Sequence, residues 1–507
     1  MPQTKFYGSQ VGGSPVISHS YTGSPLTLLR HDIASAFSFS LFLPFIVYPM
    51  NPLRSGHLCE LYPSLANLWS MFLHVLLIVL QLPFLLSIPF WIFLPVWVVV
   101  LGLTGFLVVN QGIWWLLNGS RMEYPSNPAY AKKDGHEHEQ WIFLNGVAVG
   151  KHWLQSNVDR LALTFGRPVL GVHNKTNGIL FDVLQCLIQR NFNYATSDIR
   201  ACYAIVKETL YNPTLTKVVF ILHSQGGIEG GMIIDWLLQE VPQDLLAKLE
   251  VYTFGNAANH FNNPHLHLLS QHMALKEPSR MSLTRTVTSV HYHDTAPPST
   301  TITDSGIRSP GLNTTPRSSK QESTSGKTIR YIEHYAHTSD FVARWGVLHF
   351  TCNFSLSPSA PRFMGRVFER QGEGHQLNMH YLDSMFPLQP CSFPSGGIGD
   401  SGFTGAMEEG NEFMESIMSL GIDGDEKRDE REGWEMSYLG THGEPLSEAE
   451  SEVLVRDMSP VSPGTMRKFK KKVEFKVKDL SRLWLYVNGK SPRADETDVG
   501  IARMATI

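Results

Sequence analysis

Val218-Val219-Phe220-Ile221-Leu222-His223-Ser224-Gln225-Gly226-Gly227 is the stretch on which the fold turns. An apolar run of strand composition ends in a hydroxyl, two glycines follow, and a helical pattern begins after them. A serine on a tight strand-to-helix turn projects its oxygen from the end of a sheet. Neighbouring glycines let other backbone approach it, and the helix N-terminus favours developing negative charge. The general pattern is G-x-S-x-G, and Leu222 stands where the first glycine would be, crowding the turn. The plainer alternative is a buried strand and a Gly-rich helix start that hold a serine without a chemical role.

Outward from this point, strand and helix patterns alternate. Strand signals fall at 141–144, 168–172, 217–222 and 249–254, and helical spacing at 153–165, 179–190, 198–210 and 227–238. Short apolar strands separated by helices of this length predict an α/β architecture, a mostly parallel sheet covered on both faces. A Ser/Thr/Pro-rich insert at about 295–327 has few large apolar residues, and its composition predicts disorder. Strand signals resume at 328–335 and 363–368, with a helix at about 376–385.

The region before this domain is of a different kind. From Leu61 to Ser120 there is no Asp, Glu, Lys or Arg. Such a length accommodates two membrane-crossing helices of about 20 residues each, expected at 65–82 and 90–109 with Pro83 and Pro89 bracketing the break. The expected organisation is a polar N-terminal region with a short apolar segment (1–60), a membrane hairpin (61–120), a linker (121–140), the α/β domain (141–389) and a largely disordered tail (390–507). The tail is acidic first and basic later. Its run Arg467–Val473, followed by the aromatic Leu483–Val487, suggests docking on an anionic membrane, with a solvated charge run without a partner or a last strand docked on the domain as the alternatives.

Of the 507 residues, Lys and Arg nearly balance Asp and Glu, and the net charge of −4 argues against nucleic acid as a partner. Five widely spaced cysteines form neither a zinc motif nor a disulfide framework. His136 and His138 alternate with Glu137 and Glu139 in a charged linker, which reads as a solvated segment, and neither a metal nor a cofactor is expected. Asn118, Asn174, Asn313 and Asn353 lie in N-x-[ST] sequons, which matter only if the domain is lumenal.

A serine hydroxyl becomes nucleophilic when an imidazole takes its proton and a carboxylate orients that imidazole. Asp340 follows the strand pattern 328–335 and is the preferred acid, with Asp294 its rival; Asp340 could equally cap the helical segment after it. For the base, His380 is preferred and His375 is the alternative, since both follow the last strand pattern. The amides of Gln225, after the serine, and Val147, after the strand 141–144, are the candidate oxyanion donors.

These residues carry a resemblance. The segment of about 141–386 resembles the α/β-hydrolase superfamily and looks lipase-like. Leu222-His223-Ser224-Gln225-Gly226-Gly227 is similar to the lipase elbow, and Val251-Tyr252-Thr253-Phe254-Gly255-Asn256 to the strand after it in class 3 lipases. His380-Tyr381 is similar to the histidine-containing end of that family. With its hydrophobic N-terminal region, the chain also resembles fungal membrane-anchored serine hydrolases. The resemblance implies an esterase or lipase that cleaves a hydrophobic carboxylic ester, and the apolar stretch 61–120 adds the expectation of an integral membrane protein, in an endomembrane such as the endoplasmic reticulum or a lipid droplet. Acyl transfer, thioester cleavage and a non-catalytic scaffold remain as alternatives.

Overall fold

Residues 218–222 are fully buried between two apolar layers, which is why they read as an unbroken hydrophobic run rather than an alternating one. Val218, Phe220 and Leu222 enter one layer, and Val219 and Ile221 enter the other. The computed structural model describes residues 4–7, 24–131, 135–264, 328–329, 331–352, 363–391, 402–420 and 476–492. The predicted insert at 295–327, Asp294, the basic run 467–473 and the sequons at 313 and 353 lie outside the described residues.

The described strands are β1 (Thr4–Tyr7), β2 (Glu123–Pro125), β3 (Glu139–Leu144), β4 (Val169–Val172), β5 (Lys217–His223), β6 (Leu249–Phe254), β7 (Tyr331–His337), β8 (Arg366–Arg370), β9 (Leu388–Pro390), β10 (Phe403–Ala406) and β11 (Met418–Leu420). Nine of them form one sheet in the order β11-β1-β8-β7-β6-β5-β3-β4-β2, while β9 and β10 pair separately. From β4 across to β8 every neighbour pair is parallel. The antiparallel partners β2 and β1 flank that block, and β11 pairs parallel with β1. The protein is therefore a mixed α/β structure with a mostly parallel central sheet.

The strand order reverses beside β3, which leads to β4 on one side and lies against β5 on the other. In open sheets of this kind, the crevice at the carboxyl ends of such strands is where ligands collect.

The long helices are α1 (Pro25–Ser38), α2 (Leu65–Ser87), α3 (Val96–Asn118), α4 (Lys151–Phe165), α5 (Ile179–Phe192), α6 (Ser197–Tyr211) and α7 (Gln225–Glu240). The continuous helical stretch Leu65–Phe93, of 29 residues, and α3, of 23, are long and apolar enough to cross a membrane. Both are placed differently from the sequence expectation. α2 runs through Pro83, whose lost hydrogen bond an apolar helix tolerates, and the break comes at Leu94-Pro95. The hairpin is fastened to the domain by polar groups: Gln81 Nε2 donates to the Asn177 carbonyl at 2.6 Å, and Asn118 Nδ2 donates to the Thr176 carbonyl at 2.8 Å. Asn118 and Asn174 are buried, so neither of these sequons is open to glycosylation in the folded chain.

The expected domain boundaries need correction at both ends. β1 lies in the region read as a polar N-terminus, yet Phe6 pairs with Phe368 in the sheet. β2, in the expected linker, pairs with β4. Beyond Pro390, the described parts of the expected tail fold onto the domain. Leu483, Tyr486 and Val487 are buried in the layer beneath the sheet, so this aromatic cluster belongs to the core and does not face a membrane.

Candidate active site

Ser224 lies between β5 and α7, at the N-cap of the helix, with φ 57° and ψ −121°, a left-handed conformation rare for a residue with a side chain. Its amide donates to the Phe254 carbonyl at 3.1 Å, and its own carbonyl accepts from the amides of Gly227 and Ala257. The turn is thus held from three directions. On its open side the loop after β3 passes so close that a Cβ on Gly146 would lie 2.4 Å from the Ser224 Cβ. Only glycine allows that approach.

Asp340 follows β7 and His375 follows β8, so both arrive at the same edge of the sheet as Ser224. His375 Nε2 lies 2.8 Å from Ser224 Oγ, and His375 Nδ1 lies 2.8 Å from Asp340 Oδ2. A carboxylate only accepts, so the proton belongs on Nδ1 and leaves Nε2 to accept from the serine hydroxyl. Asp340 Oδ2 also accepts from Tyr381 Oη at 2.6 Å, and Oδ1 from the Val342 amide at 2.8 Å. The carboxylate therefore orients an imidazole and caps a helix turn at once. Burial raises its pKa, but the facing His375 and these hydrogen bonds outweigh burial and hold it below its usual value.

The preference for His380 is corrected by this geometry. His380 Nδ1 accepts from the Gln376 amide at 2.9 Å, and Nε2 donates to the Pro49 carbonyl at 2.9 Å. Both nitrogens are committed, one to the turn that begins after His375 and the other to the segment leading into the hairpin. His375 sits in the outgoing loop of the strand itself, which brings it to Ser224. Asp294, the rival acid, lies outside the described residues.

Two further histidines hold the His375 loop. His223 Nε2 donates to the His375 carbonyl at 2.9 Å, and His337 Nδ1 donates to the Gly374 carbonyl at 2.9 Å. Burial, reinforced by nearby positive groups, pushes the pKa of each down to about 3, so both act as neutral donors. His337 also stacks on Tyr381 with centroids 4.3 Å apart. Sequence reading assigned no role to either histidine, although His223 stood in the quoted motif.

Among the described residues, the amides of Val147 and Gln225 have no protein acceptor. Their surroundings are fixed by α5 and by the loop after β4. Asp182 Oδ2 accepts from the Ala148 amide at 2.9 Å, next to Val147. The Gln225 side chain accepts from Asn174 Nδ2 at 3.0 Å and donates to Gln189 Oε1 at 2.9 Å. Amides without a protein acceptor, on the residues that follow Ser224 and Gly146, are available to a developing oxyanion.

No family model matches the chain, and no curated protein or solved structure is detectably similar to it.

Proposed function

We propose that the chain is a membrane-anchored serine hydrolase of α/β-hydrolase type that cleaves a hydrophobic carboxylic ester through an acyl-enzyme. The observation that carries this reading is the continuous chain from Ser224 Oγ through His375 to Asp340, two contacts of 2.8 Å. The strained turn at Ser224 supports it, since such conformations persist where function needs them.

In this reading Ser224 Oγ attacks the ester carbonyl and passes its proton to His375 Nε2. The imidazolium is stabilised by Asp340, and the oxyanion by the amides of Gln225 and Val147. His375 then gives that proton to the departing alkoxide, leaving the acyl group on Ser224. A water molecule attacks the acyl carbonyl while His375 takes its proton. The tetrahedral intermediate collapses, Ser224 recovers a proton from His375, and the carboxylic acid leaves.

The membrane part of the proposal rests on the two helices long and apolar enough to cross a bilayer, and an endomembrane location is proposed with it. A site held at a bilayer meets lipid or membrane-dissolved esters. Leu222, which would crowd the turn and so favour a non-catalytic scaffold, is accommodated by Gly230 of α7.

Labelling by a fluorophosphonate probe, in wild type and Ser224→Ala, tests the proposal. Labelling that disappears with Ser224→Ala, together with release of acid from an ester panel, supports it. A folded wild-type chain that neither labels nor hydrolyses any ester overturns it.

A further inference from the structure

α5 is amphipathic in the inverted sense. Its polar and charged residues face inward: Asp182, Gln189, Arg190 and Asn191 are all buried. Four of its apolar residues face outward, Val183 50% exposed, Leu184 43%, Ile188 47% and Phe192 44%, while Cys186 and Leu187 pack against the core. Leu184, Ile188 and Phe192 recur every fourth residue, so they line one stripe of the helix. A helix on a water-facing surface shows the opposite arrangement, and inward polar groups with outward apolar ones mark a helix whose outer solvent is hydrocarbon.

Each of these four inward residues is engaged, Asn191 through Nδ2, which donates to Asp32 Oδ2 at 2.8 Å. Asp182 accepts from the amides of Ala148 and Asn177, and Gln189 donates to Glu229 Oε1 at 3.0 Å. Arg190 donates to Asp32 Oδ1 at 2.8 Å and to the Ala257 carbonyl at 2.8 Å, and its guanidinium lies 3.7 Å from the Trp345 ring centroid. The rotation of the helix about its axis is therefore fixed, and the apolar stripe has no freedom to turn inward.

α2 repeats the arrangement. Asn67, Ser70, His74 and Gln81 are buried, whereas Leu68, Trp69, Phe72, Val75 and Val79 are exposed. The two helices are continuous in space: α5 packs against α2, and Phe181 of α5 meets Phe106 of α3 edge to face at 6.1 Å. The outward stripe of α5 thus extends the apolar surface of the hairpin.

We propose that α5 is a third lipid-contacting element: its Val183/Leu184/Ile188/Phe192 stripe is immersed in the acyl chains of the bilayer that holds the hairpin. Its 14 residues extend about 21 Å, less than the roughly 30 Å hydrocarbon core, so the helix enters the leaflet without crossing it. Its opposite face grips Ala148, beside Val147, and Gln225, beside Ser224. Lipid contact and the candidate oxyanion loops are then two faces of one rigid helix. The inference rests on the membrane reading above and not on catalysis.

The test uses the full chain in phospholipid nanodiscs containing a phosphatidylcholine with a diazirine in its acyl chain, with adducts mapped by mass spectrometry after irradiation. Adducts on 183–192 should reach a density within about threefold of that on 65–118, and at least about tenfold that on α6, a domain helix outside the stripe. The same pattern in Ser224→Ala would separate lipid contact from activity. Adducts on 65–118 with none on 183–192 overturn the proposal, whether water or a second copy of the chain covers the face. Absence of adducts from both regions overturns the membrane reading and this proposal with it.

Discussion

A Cβ placed on Gly230 would lie 2.3 Å from Cδ1 of Leu222, so the helix supplies the room that the strand's leucine occupies. Leu222 is fully buried between β5 and α7, and its side chain fills space that a glycine in the strand would leave to the helix. The crowding expected of a leucine two residues before the candidate nucleophile is thereby relieved from the opposite side.

Gly230→Ala should therefore act as an overpacking substitution. It should cost about 1–3 kcal/mol and lower Ser224 labelling, because α7 is pushed away from the turn. Leu222→Ala in the same chain should restore more than the two single effects predict. Thermal unfolding of the four chains in detergent, followed by tryptophan fluorescence, gives the coupling; strictly additive effects would count against the contact.

His375→Ala should lower kcat by about 10⁴-fold or more, as removal of a triad base does, while leaving substrate affinity little changed. His380→Ala should cost less than about 100-fold, because it removes a cap and the link to Pro49 without touching Ser224. Steady-state kinetics on any ester that the wild type accepts would separate them. A larger loss in His380→Ala would return the base role to that residue.

The difference between these two histidines shows what a single sequence conceals. The apolar run of β5 and the strand-helix alternation are local patterns, and they were legible. The choice between His375 and His380 depends on which of two neighbouring positions meets a serine 151 or more residues away. Nothing local encodes that. β1 was missed for a similar reason: Thr4–Tyr7 is too short to announce itself and becomes a strand through pairing with β8. In Leu483–Val487 the aromatic composition was seen, but its partner, a pair of buried carboxylates on β6 and β7, lies more than 140 residues earlier.

Those carboxylates supply the third prediction. Glu250 Oε1 accepts from Arg482 Nη2 at 2.8 Å, and Glu250 Oε2 accepts from Tyr486 Oη at 2.8 Å. Glu333 accepts from the amides of Arg482 and Leu483. Burial raises the pKa of Glu250, but Arg482 outweighs it and keeps the carboxylate charged. Arg482→Met leaves that charge buried without its partner and should cost about 3–5 kcal/mol. Adding Glu250→Gln should recover part of the loss. Equal thermal stability of Arg482→Met and wild type would mean that the segment 476–492 contributes nothing to the fold.

A set of buried neutral histidines should contribute a loss of stability as the solution is acidified below pH 6.5. Burial holds His223 and His337 down to about 3, and His173 and His334 down to about 4. In the unfolded chain each titrates near 6.5, so between about pH 4 and 6.5 the unfolded state binds more protons than the native one. The stabilisation is complete above pH 6.5 and declines as pH drops through that window, by about 1.4 kcal/mol per pH unit for each histidine once its unfolded form is fully protonated. Buried carboxyls lean the other way, Glu229, Glu333 and Asp383 among them. Burial raises Glu60 to about 7 and Asp182 to about 6, so their contributions grow as pH falls from those values towards 4.5. Because the two sets oppose each other, the histidine share of the slope is read by difference between variants. His334 isolates the effect, because it bonds Thr253 and the Met364 carbonyl and touches none of Ser224, Asp340 or His375. His334→Gln should reduce the slope of unfolding free energy against pH by about one proton between pH 5 and 6.5. Chemical denaturation at those two values measures it, and an unchanged slope would show that His334 does not titrate on unfolding.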